Sequence, residues 1–196
     1  MRLKYLIMFE SILSFFGLKS KTESIKADTL KEPYSIKGFI NRPIYKKLTA
    51  EILDQTPDDE LVKLIFDNLS LKPSDDLSDE YKTVLSFNKE QRAIYTIWLL
   101  EGNVNNGGFD QFYSNSSGRL YTFLPNALKL IGAPKFADLV LKANNIYEIE
   151  QKSSGKNSNN GELDELDSVF YKLYQNEDLA QLELDFIRKN KNAFID

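Results

Sequence analysis

Residues 87–104, FNKEQRAIYTIWLLEGNV, decide the fold of this protein. Asn88 is a good N-cap residue, because its side chain can accept a hydrogen bond from a backbone N–H group in the first helical turn. From residue 93 to residue 100 the sequence is apolar around nearly the whole helix circumference, which is typical of a buried helix. We therefore predict a long helix in the middle of an all-α domain.

Start and stop residues predict further helices on both sides of this one. Thr56 is predicted to cap a helix over residues 56–69, because its hydroxyl can satisfy an N–H group of the first turn. Gly132 is predicted to end a helix over residues 119–131 and to separate it from the next, residues 134–147.

A polar loop, residues 151–161, precedes two C-terminal helices. In the first of them, five apolar residues recur at helical spacing and are predicted to face the core: Leu163, Leu166, Val169, Phe170 and Leu173. Asn176 is predicted to cap the second. Few segments show the alternation of a strand. The sequence thus predicts one all-α domain of about seven helices.

The N-terminal part of the chain differs from the rest. Residues 1–50 carry ten Lys and Arg against four Asp and Glu, and residues 5–18 are an apolar run with helical spacing. We predict an amphipathic helix and a linker over residues 1–43, and a helical domain over residues 44–196. Three interpretations of the N-terminal helix stay open: a docked or loose arm, a segment that contacts a membrane surface, and an export signal.

The composition excludes several chemistries. The chain has no Cys and no His, which excludes disulfides, thiol nucleophiles, Ser-His-Asp triads and ordinary zinc sites. Catalysis would have to use Asp, Glu, Lys, Tyr or an oxygen-liganded metal, and the sequence shows no such constellation. We therefore expect no catalytic residue, no metal and no cofactor.

The residues after the central helix, 104–118, read VNNGGFDQFYSNSSG. Gly107 and Gly108 permit backbone conformations with positive φ and therefore predict a tight corner. Phe109, Phe112 and Tyr113 are spaced to share one face of a short helix that follows.

Two interpretations of this corner are open. In the first, free N–H groups at the helix start bind an anion, with Asn105, Asn106, Asp110 and Gln111 as polar walls. In the second, which we favour, the corner is structural and neighbouring residues satisfy its backbone groups, because a buried helix end requires such partners.

The corner also carries a resemblance to a known family. The motif NNGGFDQFYSNSSG, followed by NALKLIGA and later by LDELD, is similar to the DNA-mimic-protein family over roughly residues 44–196. The resemblance implies a helical domain without known catalysis. It also implies at least one member that spaces acidic side chains like DNA phosphates and occupies a DNA-binding regulator as a dimer. Domains of this kind also resemble bacterial immunity-type proteins.

Two clusters of acidic residues are candidates for contacts with such a partner. The first cluster contains Asp58, Asp59, Glu60, Asp75, Asp76, Asp79 and Glu80, and the second contains Glu162, Asp164, Glu165, Asp167, Glu177 and Asp178. Acids in the first turn of a helix are also favoured by the helix dipole. An ordinary solvated surface is therefore the alternative interpretation of both clusters.

These observations predict a cytoplasmic, non-enzymatic interaction domain whose acidic surface binds a basic protein, a DNA-binding regulator. We expect no direct contact with nucleic acid or membrane, and a homodimer is an open alternative. Two other functions stay open: an immunity-type protein that neutralises a cognate toxin, and a hydrolase that uses Glu101 and Asp110 at the corner.

Overall fold

The helices of this protein are arranged around one long central helix. A computed structural model describes residues 43–72, 80–152 and 161–196, so that the predicted N-terminal helix and linker lie almost wholly outside the described residues. The described residues form eight α-helices and two 3₁₀ helices and contain no strand. The all-α prediction is confirmed.

The α-helices are α1 (Ala50–Gln55), α2 (Asp58–Ser70), α3 (Glu80–Ser86), α4 (Lys89–Ser114), α5 (Leu124–Ile131), α6 (Pro134–Lys152), α7 (Glu162–Leu173) and α8 (Leu179–Lys189). The 3₁₀ helices are η1 (Ser116–Phe123) and η2 (Lys191–Phe194). The sequence analysis missed α1 and α3, which are both short. The predicted boundary between residues 43 and 44 stays a prediction.

Helix α4 is the predicted central helix. The side chain of Asn88 accepts a hydrogen bond of 2.8 Å from the N–H group of Gln91, as predicted for the cap. Ile94, Ile97 and Leu100 are completely buried, because α4 packs against α2, α5, α7 and η1. This burial on several sides explains why the middle of α4 has no polar face.

Two predicted caps and one predicted core residue are wrong. The hydroxyl of Thr56 donates to the carbonyl of Ile52 and so ends α1, whereas α2 begins after Pro57 without a side-chain cap. The last helix is capped by Asp178 and not by Asn176. Val169 is 41% exposed, because it lies at the outer edge of the apolar stripe of α7.

Carboxylates from distant parts of the chain hold several segments in place. Glu177 accepts hydrogen bonds from the N–H groups of Lys135 and Phe136, at 3.0 and 3.1 Å, and thereby caps the start of α6. Leu48 donates its N–H group to Asp196 at 2.9 Å and accepts the N–H group of Asp196 at 3.1 Å. These contacts connect residues that no local sequence pattern relates.

Aromatic side chains fill the core beneath the second part of α4. The ring of Phe170 meets Phe109 and Phe136 edge to face, with centroids 5.8 and 5.0 Å apart. Tyr113 stacks on Tyr147 at 4.3 Å with nearly parallel rings. Such pairs add about 0.5–1.5 kcal/mol to the burial of apolar area, and they fix α6 and α7 against the corner.

Candidate functional site

The predicted corner interrupts α4 at Gly107 and Gly108. Gly107 is extended, with φ −164° and ψ 26°, whereas Gly108 has φ 77° and ψ −177°. The conformation of Gly108 is essentially restricted to glycine. A Cβ atom at Gly108 would also lie 2.1 Å from the Oδ2 atom of Asp167. The corner therefore requires glycine at position 108 for two independent reasons.

Asp167 of α7 is the partner of the helix that starts at this corner. The N–H group of Phe109 donates to the Oδ1 atom of Asp167 at 2.8 Å. This carboxylate comes from another helix and takes the position of an N-cap side chain, where it satisfies one of the orphan N–H groups of the helix start. The protein thus supplies its own anion to the predicted anion site, as the structural interpretation of the corner expects.

The other polar residues of the motif also have partners within the protein. The amide of Asn105 donates to the hydroxyl of Tyr174 at 3.3 Å, and the amide of Asn106 donates to the Oε1 atom of Gln111 at 3.1 Å. Phe109 and Phe112, by contrast, are fully buried. Neither asparagine caps the second part of α4, because Asp167 does so.

Asp110 and Asp164 lie close enough to Asp167 for their charges to act on its carboxyl group. Burial raises the pKa of the Asp167 carboxyl above its ordinary value, and the hydrogen bond from Phe109 opposes this rise. The negative charges of Asp164 and Asp110 raise the pKa of Asp167 further. The structure therefore places an acid of the corner motif beside the acids of α7, which the sequence could not show.

The second acidic cluster divides into two groups. Glu162, Asp164 and Glu165 are exposed in the first turn of α7. Asp167, Glu177 and Asp178 instead cap the second part of α4, the start of α6 and the start of α8. Among the described residues, no hydrogen bond or ion pair holds the side chains of Glu162, Asp164 and Glu165. We call Asp110, Glu162, Asp164 and Glu165 together the corner acids.

The first acidic cluster has a different setting. Asp58 accepts hydrogen bonds from Arg188 at the end of α8, at 2.5 and 3.2 Å, while Asp59 and Glu60 are exposed. Glu80 is buried and accepts the hydroxyl of Tyr95 at 2.9 Å. The remaining members, Asp75, Asp76 and Asp79, lie outside the described residues.

The two acids of the hydrolase alternative have unlike surroundings. Asp110 is exposed. Glu101 accepts the hydroxyl of Tyr174 at 2.7 Å and interacts with Glu183, and burial raises the pKa of Glu101 to about 6. Within the described residues, no three potential metal ligands lie close enough together to hold a metal ion.

The sequence contained one overlooked signal for Asp167. It lies four residues after Leu163 and three before Phe170, both of which are buried. A carboxylate at that spacing lies on the inward face of the helix, where it needs a hydrogen-bond donor. The donor is the N–H group of Phe109, which is 58 residues away in the chain. Its identity therefore could not be inferred from the sequence.

Comparison with known proteins identifies the family. The sequence model of the family described as DMP19-like protein matches residues 85–190, more than half of the 196-residue chain. The chain belongs to this family. It is a family of DNA-mimic-type proteins and is not a known enzyme family. No curated protein and no solved structure matched the chain.

The matched region separates the two acidic clusters. It includes the corner and α7, with all four corner acids, and it begins after the last residue of the first cluster, Glu80. The family model thus covers the second cluster and leaves out the first. Within the described residues, no helix is both long enough and apolar enough to span a membrane.

Proposed function

We propose that this protein binds a basic, DNA-binding protein through the corner acids and so competes with DNA for that partner. The observation that carries the proposal is that Asp110, from the family motif, and Asp164, from α7, both act electrostatically on Asp167, whose carboxylate accepts the N–H group of Phe109. Both belong to the region that matches a family of DNA-mimic-type proteins.

The surroundings of the corner acids support this function. Among the described residues, no ion pair involves Glu162, Asp164 or Glu165. Their charges therefore act on solvent and on whatever approaches the surface. Several exposed carboxylates with like charge attract a surface that has evolved to bind phosphates, since phosphate recognition depends on many charges at once.

The corner gives this surface a fixed backbone. Asp110 lies one residue after Phe109. The N–H group of Phe109 is hydrogen-bonded to Asp167, and its ring is packed in the core. The carboxylates of α7 lie on the helix that supplies Asp167. A rigid frame lowers the entropy lost on binding, and it keeps the separation between the carboxylates constant, as a mimic of regularly spaced phosphates requires.

The experiment combines partner capture with competition by DNA. The full chain captures binding proteins from a bacterial extract at low salt, and each captured protein is then purified and titrated with the full chain and with duplex DNA. We expect mutually exclusive binding and an affinity that falls steeply as salt increases, because the contacts are between exposed charges. An affinity unchanged by salt would contradict the proposal, as would simultaneous binding of DNA.

A charge-matched pair of variants locates the surface. The test variant carries Asp110→Asn, Glu162→Gln, Asp164→Asn and Glu165→Gln, and the control carries Asp59→Asn, Glu60→Gln, Asp138→Asn and Asp185→Asn. All eight residues are exposed, and both variants lose four negative charges. We expect at least a tenfold loss of affinity in the test variant, about 1.4 kcal/mol or more, and a smaller loss in the control. Equal losses would show that net charge, and not the corner acids, determines binding.

A further inference from the structure

A buried carboxyl group of α8 interacts with a half-buried glutamate of the central helix. Glu183 of α8 is only 2% exposed, and its carboxyl group interacts with that of Glu101 of α4. The Oε1 atom of Glu183 has no hydrogen-bond partner among the described residues. Neither the family nor the proposed function explains why two acids meet inside the domain.

A hydrogen bond between two carboxyl groups requires a proton. An ionised carboxylate is only an acceptor, so one of the two groups must be protonated to donate. Two buried carboxylates without a proton would repel each other in a medium that screens charge poorly. Burial accordingly raises the pKa of Glu183 well above its ordinary value, and the neighbouring Glu101 raises it further.

The nearest polar groups do not supply a positive charge to the pair. The hydroxyl of Tyr174, from α7, donates to the Oε1 atom of Glu101 at 2.7 Å and in turn accepts the amide of Asn105. Asp178, at the cap of α8, adds a negative charge that raises the pKa of Glu101. A proton is therefore the group that neutralises the pair.

The other elements packed against α8 are α2, α5 and η2. In α2, Lys63 and Asp67 are half-buried and have contacts of their own, and Lys129 of α5 is exposed. Lys191 of η2 is paired with Asp54. Neither these lysines nor Asp67 are among the groups that shift the pKa of Glu101 or Glu183.

We propose that Glu101 and Glu183 form a proton-binding site that fastens α8 to α4, and that loss of the shared proton at alkaline pH loosens the packing of α8. Two hydrogen bonds link the site to the corner motif, because the hydroxyl of Tyr174 donates to Glu101 and accepts the amide of Asn105. It does not depend on the proposed function, since a proton is its ligand.

The direction of the pH dependence follows from proton linkage. In the unfolded chain both glutamates have their ordinary pKa, whereas in the folded domain the pair retains a proton to higher pH. The folded state therefore binds more protons, and its stability falls as pH rises above the ordinary glutamate value and through the raised values of the pair. One retained proton changes the unfolding equilibrium constant by up to about tenfold per pH unit.

The first test compares pH profiles of stability for the full chain. Urea unfolding is measured between about pH 5 and about pH 9 for the unaltered protein and for Glu183→Gln, which keeps the shape and donates a hydrogen bond without titrating. We expect stability to fall more steeply with pH in the unaltered protein. The matched control is Asp185→Asn, an exposed acid of the same helix, which should keep the steep profile. Equal slopes in the unaltered protein and in Glu183→Gln would overturn the proposal.

The second test detects the proton directly and does not require a variant that folds. Infrared spectroscopy of the unaltered protein at neutral pH should show the carbonyl band of a protonated carboxylic acid, which disappears as pH rises. Glu183→Gln should remove this band. Glu101→Gln should shift it, because the buried Glu183 carboxyl group loses its carboxylate neighbour. Asp185→Asn should leave the band unchanged. Absence of the band from the unaltered protein at neutral pH would overturn the proposal.

Discussion

The starts of α2 and α7 look alike in the sequence and differ in the structure. Each has three acids in its first turn: Asp58, Asp59 and Glu60 in α2, and Glu162, Asp164 and Glu165 in α7. The helix dipole favours both sets to a similar extent, about 0.3–1 kcal/mol for each acid. Asp58, at the start of α2, forms an ion pair with Arg188. In α7, by contrast, Asp167 follows the first turn and is affected by Asp110, a residue of the same charge.

Contacts with residues distant in the sequence determine whether the acids at a helix start are exposed or have a structural role. Asp58 is partly neutralised within the domain and fixes the end of α8 to α2. In α7, the residue with the structural task is Asp167, one turn further on, and the acids before it remain on the surface. A run of acids in a sequence therefore predicts neither a binding surface nor a structural contact until the nearby cations and N–H groups are known.

The substitution expected to reduce the stability of the domain most is at Gly108, which lies against Asp167. Gly108→Ala should destabilise the domain by about 2–4 kcal/mol, because alanine strains a backbone region restricted to glycine and displaces the Asp167 carboxylate. Urea unfolding of the full chain measures the change. The control is Gly102→Ala, which meets no atom within 4 Å and should stabilise helix α4 by about 0.5–1 kcal/mol. Similar effects of both substitutions would refute a special role for Gly108.

The second prediction compares the contribution of Asp167 to stability with that of an exposed acid on the same helix. Asp167→Ala leaves the N–H group of Phe109 without its acceptor and should cost about 1–2 kcal/mol in unfolding free energy. Asp164→Ala removes an exposed carboxylate of the same helix and should change stability by less than about 0.5 kcal/mol. Thermal or urea unfolding checks both. If Asp164→Ala proved as costly as Asp167→Ala, the division of the second cluster would be wrong.

The smallest effect concerns the start of α2. Asp58→Asn removes the ion pair with Arg188 and should cost about 0.5 kcal/mol or less beyond the loss of its interaction with the helix dipole, because the Asp58 side chain is 66% exposed and water screens such a pair. Asp59→Asn, which makes the same chemical change one residue later, is the control and should lose only the interaction with the helix dipole. The difference between the two should shrink in high salt. A difference that persists in high salt would mean that hydrogen-bond geometry, and not charge, stabilises this contact.

Local patterns predicted much of this architecture. The apolar circumference of residues 93–100 predicted a buried helix, and the glycine pair at positions 107 and 108 predicted the corner, because both signals act within a few residues of the chain. The cap of α8 was misassigned for a related reason. Asn176 and Asp178 are both good cap residues, and only the structure shows that the side chain of Asp178 accepts the N–H group of Gln181.

Contacts between distant residues were beyond local patterns. Glu183 lies four residues after Leu179 and three before Phe186, both buried, so its spacing placed an acid on the apolar face of α8. The sequence therefore showed an acid at an inward-facing position, as it did for Asp167. It did not show which residue of α4 is the partner of Glu183. The same limit applies to the candidate site. The sequence contained the acids of the corner and of α7 separately, and only the packing of α7 against α4 brings them together.

The hydrogen bonds between Leu48 and Asp196 have a consequence for folding kinetics. They close a loop of 148 residues in the chain, and the entropy of closing so long a loop must be overcome by contacts formed earlier. The two segments can meet at low cost only after the helices between them have packed. We therefore expect these two hydrogen bonds to form late in folding and to break early in local unfolding. A pair of fluorophores, one near Leu48 and one near Asp196, would then report the last step of folding and the first step of unfolding.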